Sequence, residues 1–281
     1  MALDIESSSI LLGLLSGIIQ GITEFLPISS SGHLILFEKL IDSEPNSLTF
    51  DVGLHIGTLM AVLVSFKNLV TSITLACLKT LYKKDDLTQD ERRYSQIGLL
   101  LIIGTIPAVI AGLLFIDIIE LYLREPWLIA LTLTLGALVM WIADRNAARF
   151  LRLRDFNLRG VIIIGCAQAI ALIPGVSRSA LTISAARFLG HSRKKSAEFS
   201  FLLAIPVIIS AGVLTGLRSI RLDIPIDWHL LIIGSSTAFL VGILVIKFFL
   251  SYVEKHDLFV FINYRILLAG LIAIGILTKH I

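Results

Sequence analysis

Charge is scarce in this chain. Of its 281 residues only 16% are Asp, Glu, Lys or Arg, against roughly 25% in an average soluble domain. Hydrophobic residues make up 56%, and the mean hydropathy of +0.89 comes from long apolar runs. The chain therefore reads as an integral membrane protein, one membrane domain over residues 1–281, and counting soluble domains by length does not apply. Cysteine is nearly absent. Cys77 and Cys166 lie in apolar surroundings without metal-type spacing and read as small hydrophobes with no further role. A strong basic excess is lacking too: the net charge is +3 and the basic residues sit in short loops rather than in a stripe, so nucleic-acid binding has no support. The first residues, MALDIESSS, hold Asp4 and Glu6 but no basic residue. That is the wrong flank for a cleaved secretory signal, and the first hydrophobic segment is expected to be retained.

What is present is a series of apolar runs. Six are long enough to cross a bilayer, which takes about 20 residues: 52–78, 97–119, 127–143, 199–217, 228–250 and 261–277. Two more regions, 10–41 and 161–189, are broken near the middle by Pro27 and by Pro174-Gly175. Proline removes an amide donor and clashes with the preceding turn, so each region is read as a helix, a polar loop and a returning helix. Loop charge gives an orientation. Lys79, Lys83, Lys84, Arg92 and Arg93 in one loop, and Arg145, Arg149, Arg152, Arg154 and Arg159 in another, belong on the cytoplasmic side, and the mostly acidic loops 42–51 and 117–125 on the outer side. Arg193, Lys194 and Lys195 join the cytoplasmic set if the second broken region turns back at its break.

The halves also resemble each other. LLIIGTIPAVIAGLL from Leu100 matches LLIIGSSTAFLVGIL from Leu230, and Gln20, Ser29 and Ser31 share the spacing of Gln168, Ser177 and Ser179. The expected fold is an all-α polytopic membrane protein of two inverted-topology repeats, about 10–144 and about 159–278. Each repeat is a re-entrant helix hairpin plus three transmembrane helices, an odd number of crossings that turns the second copy upside down. Such repeats bring broken segments together near the midplane, so one composite site is expected from two distant stretches.

The chemistry lies in those breaks. In QGITEFLPISSSGH, residues 20–33, Gln20 and Glu24 share a helical face that points toward Pro27. An ionisable residue at membrane depth is a functional hypothesis by default. A charged Glu24 needs a cation, either Arg178 or a divalent metal bridging it to phosphate oxygens, for which Mg²⁺ or Ca²⁺ is suited. Ser29, Ser30 and Ser31 precede Gly32 and His33. Serine becomes a nucleophile when a base takes its proton, and imidazole fits that task; His33 comes within reach of Ser30 if the second helix starts at the serines. Direct attack by His33, or protonation of the leaving oxygen by it, is the alternative. His55, His191, His229, His256 and His280 show no comparable company. In PGVSRSALT, residues 174–182, a helix starting near Ala180 offers free amides and partial positive charge, and Arg178 adds a fork-shaped donor for a diphosphate. Glu24, Ser30, His33 and Arg178 are the expected catalytic residues, with Glu24 also the metal ligand. Gln20, Ser29, Ser31, Gly32, Gly175, Ser177, Ser179 and Thr182 are the expected substrate-binding residues.

These motifs carry a family resemblance. A Q/E-x-x-x-E pattern at 20–24, FLPxSSxGH at 25–33, PGxSRSxxT at 174–182 and EFSFLLAIP at 198–206 make the chain similar to the undecaprenyl-diphosphate phosphatase family associated with bacitracin resistance, over essentially its whole length. The resemblance implies removal of the terminal phosphate from the C55 isoprenoid diphosphate, which regenerates the lipid monophosphate that carries peptidoglycan precursors. It also implies a divalent cation, active-site roles at the positions of Glu24, Ser30, His33 and Arg178, and a multi-pass protein among the lipids of the bacterial cytoplasmic (inner) membrane. A site open to the outer face and a homodimer are further implications. Many members have glutamate where this chain has Gln20, which leaves Glu24 the sole acidic residue of the first motif. A lipid flippase or secondary transporter is the competing class, because inverted repeats with broken helices are a transporter architecture. Serines and a histidine set opposite an arginine are more than binding requires. Another class of membrane lipid phosphatase shares the strings SGH and SR, but has a histidine where this chain has Ser184.

Overall fold

The computed structural model describes residues 2–41, 48–82, 86–146, 153–223 and 227–279. Among these the regular structure is helical. Helices α1 (Ala2–Thr23) and α2 (Ser30–Leu40) flank the first break, and α7 (Leu158–Ile170) and α8 (Arg178–Phe188) flank the second. Between them run α3 (Leu48–Ser65), α4 (Lys67–Tyr82), α5 (Gln89–Tyr122) and α6 (Pro126–Asn146); α9 (Arg193–Arg221), α10 (Trp228–Lys255) and α11 (Phe259–Leu277) complete the chain. Both breaks fall where the prolines put them. α8 begins two residues before the expected Ala180.

Helices α5, α6, α9, α10 and α11 are long and apolar enough to cross a membrane. Polar caps start three of them: Thr88 and Glu91 form a reciprocal capping box on α5, and Ser192 and Asp227 accept from the first turns of α9 and α10. Exposed Ile102, Ile106, Ile110 and Leu113 on α5, and Leu240, Leu244 and Phe248 on α10, make an apolar surface far too large for water. Trp127 and Trp228 stand exposed at the first turns of α6 and α10, as interfacial aromatics do. The chain is a multi-pass membrane protein.

One expected crossing is not straight. Segment 52–78 breaks at Phe66, and the two parts meet at 87°. At the bend the Phe66 ring packs edge-on against Phe201 at 6.5 Å. Polar Lys67 and Asn68 then start α4, which lies along α5 through Lys79–Glu91 (2.9 Å) and Thr80–Ser95 (2.8 Å). Among the described residues the candidate crossings are thus five, or six with the bent pair counted as one.

Helix α1 packs along α10 and α7 along α5, so each hairpin leans on the opposite half of the chain. Helix α3 meets α9, and α6 meets α11. An aromatic cluster of Phe25, Phe201, Phe249 and Phe261 sits immediately behind the first break. At one end of the bundle Asp144 of α6 binds Arg187 (3.2 Å) and Arg193 (2.7 Å), and Lys194 binds Glu254 (2.8 Å), which gathers the ends of α6, α8, α9 and α10. At the other end Arg124 binds Glu38 (3.3 Å) and Asp51 (3.5 Å). Lys83, Lys84, Arg149, Arg152 and the acidic residues of 42–47 lie outside the described residues.

Small residues allow these close contacts, since lipid gives no hydrophobic force between helices. A Cβ on Gly57 of α3 would collide with the Ser235 backbone of α10. Gly57→Leu is expected to force the pair apart and cost about 1–3 kcal/mol. Thermal unfolding in detergent reads this, and a melting temperature equal to wild type would contradict the packing.

Candidate active site

The two breaks are built alike. Helix α2 starts after Ser29 and α8 after Ser177, and both serines have positive φ, 77° and 73°. Residues other than glycine rarely hold that region, and do so where the surroundings over-determine it. Each serine caps its own helix: Ser29 Oγ accepts from the Gly32 amide (3.3 Å) and Ser177 Oγ from the Ala180 amide (3.2 Å). Each Oγ also meets a second hydroxyl, that of Ser31 at 3.4 Å and that of Ser179 at 3.1 Å. Two helix N-termini are thereby stocked with hydroxyls, a setting that favours anions.

The turns touch. Gly175 has φ +85°, and a Cβ there would collide with Thr132 Oγ1; a Cβ on Gly32 would lie 3.4 Å from the Gly175 Cα. Ser179 Oγ donates to the Leu26 carbonyl (3.1 Å), tying the second turn to the first. Arg265 of α11, with none of its surface exposed, donates to the carbonyls of Pro27 in the first turn and of Gly175 and Val176 in the second.

Glu24 joins the chemistry across this contact. Its Oε1 accepts from Arg178 Nη2 at 2.6 Å. Its Oε2 accepts from Ser30 Oγ at 2.7 Å and from Gln20 Nε2 at 3.2 Å, and His55 Nε2 lies 3.4 Å away. The carboxylate is only 6% exposed, so these charge-assisted bonds are what make its charge tenable there. Arg178 is aimed by a second bond, from Nη1 to the Ser200 carbonyl (2.8 Å).

His33 is turned elsewhere. Its Nδ1 donates to the Ser29 carbonyl (2.7 Å), because a carbonyl can only accept, and the neutral ring's Nε2 then accepts from the Tyr264 hydroxyl (2.7 Å). The expected partner of Ser30 is therefore replaced: Glu24, not His33, accepts the hydrogen bond that the Ser30 hydroxyl donates. The reason is local, since α2 begins at Ser30 and sets His33 one turn above the Ser29 carbonyl. Thr182 is buried behind Arg178, bonded to the Arg178 carbonyl (2.8 Å) and to Ser200 Oγ (2.7 Å). It braces α8 on α9 rather than facing the opening. Gln20, Ser29, Gly32, Gly175, Ser177 and Ser179 are also buried, whereas Ser30, Ser31, His33, His55 and Arg178 are half-buried and reachable.

Sequence reasoning missed His55, Tyr264, Arg265 and Ser200. His55 and Arg265 left a signal, each an ionisable group inside an apolar crossing. Ser200 and Tyr264 left none beyond the motif around Ser200.

The family described as "Bacitracin resistance protein BacA" matches residues 13–271. Similar curated proteins are the undecaprenyl-diphosphatase of Elusimicrobium minutum, 45% identical over 94% of this chain and 97% of its own length, and undecaprenyl-diphosphatase 1 of Pseudoalteromonas translucida, 43% identical over 91% and 94%. The undecaprenyl-diphosphatase of Teredinibacter turnerae is 42% identical over 92% and 96%.

The Glu24–Arg178 geometry predicts strong coupling. Glu24→Gln and Arg178→Gln each strand a buried charge and should cost about 3 kcal/mol or more, while the double variant should recover about 1–2 kcal/mol of the summed loss. Additive losses in the thermal stability of the purified variants would argue against the pair.

Proposed function

The chain belongs to the bacitracin resistance protein family, and we propose from its site that it hydrolyses undecaprenyl diphosphate to undecaprenyl phosphate and inorganic phosphate. It is an integral membrane phosphatase acting on a phosphoric anhydride, which recycles the lipid carrier for peptidoglycan synthesis and so confers bacitracin resistance. The observation that carries the chemistry is Glu24 bonded at once to Ser30 and to Arg178, across the contact between the two breaks.

The terminal phosphate binds at the N-termini of α2 and α8 and takes Arg178 from Glu24. Freed from its ion pair, the carboxylate accepts the Ser30 proton. Ser30 Oγ attacks the terminal phosphorus in line with the bridging oxygen, whose bond breaks to release undecaprenyl phosphate. Arg178 and the helix N-termini neutralise the charge that builds on the phosphoryl oxygens. Glu24 passes that proton to solvent, takes one from the water that cleaves the serine phosphate, and returns it to Ser30 Oγ as inorganic phosphate leaves. His33, placed by Ser29 and Tyr264 at the reachable side of the site, protonates the leaving oxygen after its Nε2 has taken up a proton from solvent in place of the Tyr264 bond.

A divalent cation, Mg²⁺ or Ca²⁺, suits the donor set. No group of three His, Cys, Asp or Glu able to hold a metal occurs among the described residues. Glu24 stands beside Gln20, however, whose buried Oε1 has no hydrogen-bond partner. Those two oxygens would hold the ion, with phosphate and water filling its shell as hard cations prefer. Bound there, it would screen the diphosphate charge.

Two inverted repeats, about 10–144 and 159–278, account for the matched serine turns and for the reciprocal packing of α1 on α10 and α7 on α5. A position in the inner membrane with the site open outward fits the bundle. Ser30 and His33 lie on α2, which runs on to Glu38, and His55 follows Asp51, so both elements lead to the end opposite Arg193. Membrane lipids cover the apolar belt, and a homodimer would use part of it.

Purified protein should release phosphate from a prenyl diphosphate. Glu24→Gln, Ser30→Ala and Arg178→Ala should each lower kcat by about 100-fold or more. Thr182→Val should lose less than about tenfold, since it acts only through packing. Normal release by Arg178→Ala would sink the two-turn site.

A further inference from the structure

Arg265 is the largest buried charge outside the reacting groups. Its guanidinium donates to five backbone carbonyls: Nε to Leu133 (3.1 Å), Nη1 to Pro27 (3.2 Å), and Nη2 to Thr132 (3.3 Å), Gly175 (3.1 Å) and Val176 (3.0 Å). Leu133 and Thr132 belong to α6; the other three belong to the two turns. A break in a helix leaves carbonyls without amide partners, which is costly where no water reaches. One planar cation satisfies both breaks together and fixes their relative position.

Its hydrogen bonds are answered, but its charge is not. Among the described residues no carboxylate lies within ion-pair distance of Arg265, although arginine stays protonated and is seldom fully buried unpaired. Carbonyl dipoles offset part of the charge. The remainder lies directly behind two helix starts that both favour an anion.

We propose that Arg265 is a positioning residue for the phosphatase reaction. Its fork holds the two turns so that Ser30 and Arg178 converge, and its uncompensated charge attracts the diphosphate through those turns. The neighbouring Tyr264 orients His33, so consecutive residues of α11 set both turns and the site histidine. The inference rests on the phosphatase function proposed above.

Two substitutions separate fork from charge. Arg265→Lys keeps a cation without planar geometry, and Arg265→Gln keeps neither. With a prenyl diphosphate as substrate, R265K should leave KM within about threefold of wild type while kcat falls about 100-fold. R265Q should add a rise in KM of about tenfold or more. Gly136→Ala offers an independent probe, because a Cβ there would collide with the guanidinium and lie 3.0 Å from the Val176 carbonyl. It displaces Arg265 without removing it and should reproduce the kcat loss at near-normal KM. Thermal unfolding of each preparation shows which variants are folded. Identical kinetics for R265K and R265Q, or folded G136A with wild-type kcat, would overturn the proposal; G136A decides alone if both arginine variants fail to fold. Failure of the phosphatase function itself would be seen separately, as no release by wild type.

Discussion

The 2.6 Å ion pair between Glu24 and Arg178 joins residues 154 positions apart, and the site is organised about it. Glu24, only 6% exposed, would be a costly buried charge without a cation, and Arg178 from the second break supplies it, so the first break depends on the second. The pairing explains why the two hairpins meet. It also explains why the meeting surface is so tight, with glycines back to back and Ser179 reaching across to Leu26.

The same pair gives the resting site a reason to be reactive. Without substrate, Arg178 and Glu24 satisfy each other, and the Ser30 proton is already committed to the carboxylate. An arriving phosphate is the stronger partner for the fork-shaped arginine. In the proposed mechanism its binding uncovers a base next to a nucleophile that already faces it, so the group that holds the diphosphate also releases the group that activates serine. Behind this exchange the strained turns at Ser29 and Ser177 stay fixed by Arg265, whose carbonyl bonds span both. A transporter would need a site that opens and closes around its cargo; a rigidly cross-braced one with a primed hydroxyl is suited to phosphoryl transfer.

Much of this was legible in the sequence. Pro27 and Pro174 announce the breaks because proline cannot continue a helix, and the serines and Arg178 beside them are out of place in apolar runs. The helices that cross straight are legible from their length. What stayed hidden is tertiary. In the run 52–78 only polar Lys67 and Asn68 mark the bend at Phe66, and its Phe201 contact from α9 is not readable from the run. The spacing of Ser30 and His33 puts them on one end of α2 but does not say that Tyr264 turns the imidazole away. His55 is solitary in the sequence because its neighbour Glu24 comes from the break after α1, and Thr182 shares a motif with Arg178 while acting as its brace.

On the proposed mechanism Ser30, relieved of its proton by Glu24, becomes covalently phosphorylated. Rapid quenching of the purified protein mixed with prenyl diphosphate labelled in its terminal phosphorus, followed by mapping of the label, tests it most directly. Phosphoserine at Ser30 is expected within the first turnover, forming far more slowly in Glu24→Gln. Label on His33, or full turnover by wild type with no label on any residue, would contradict it.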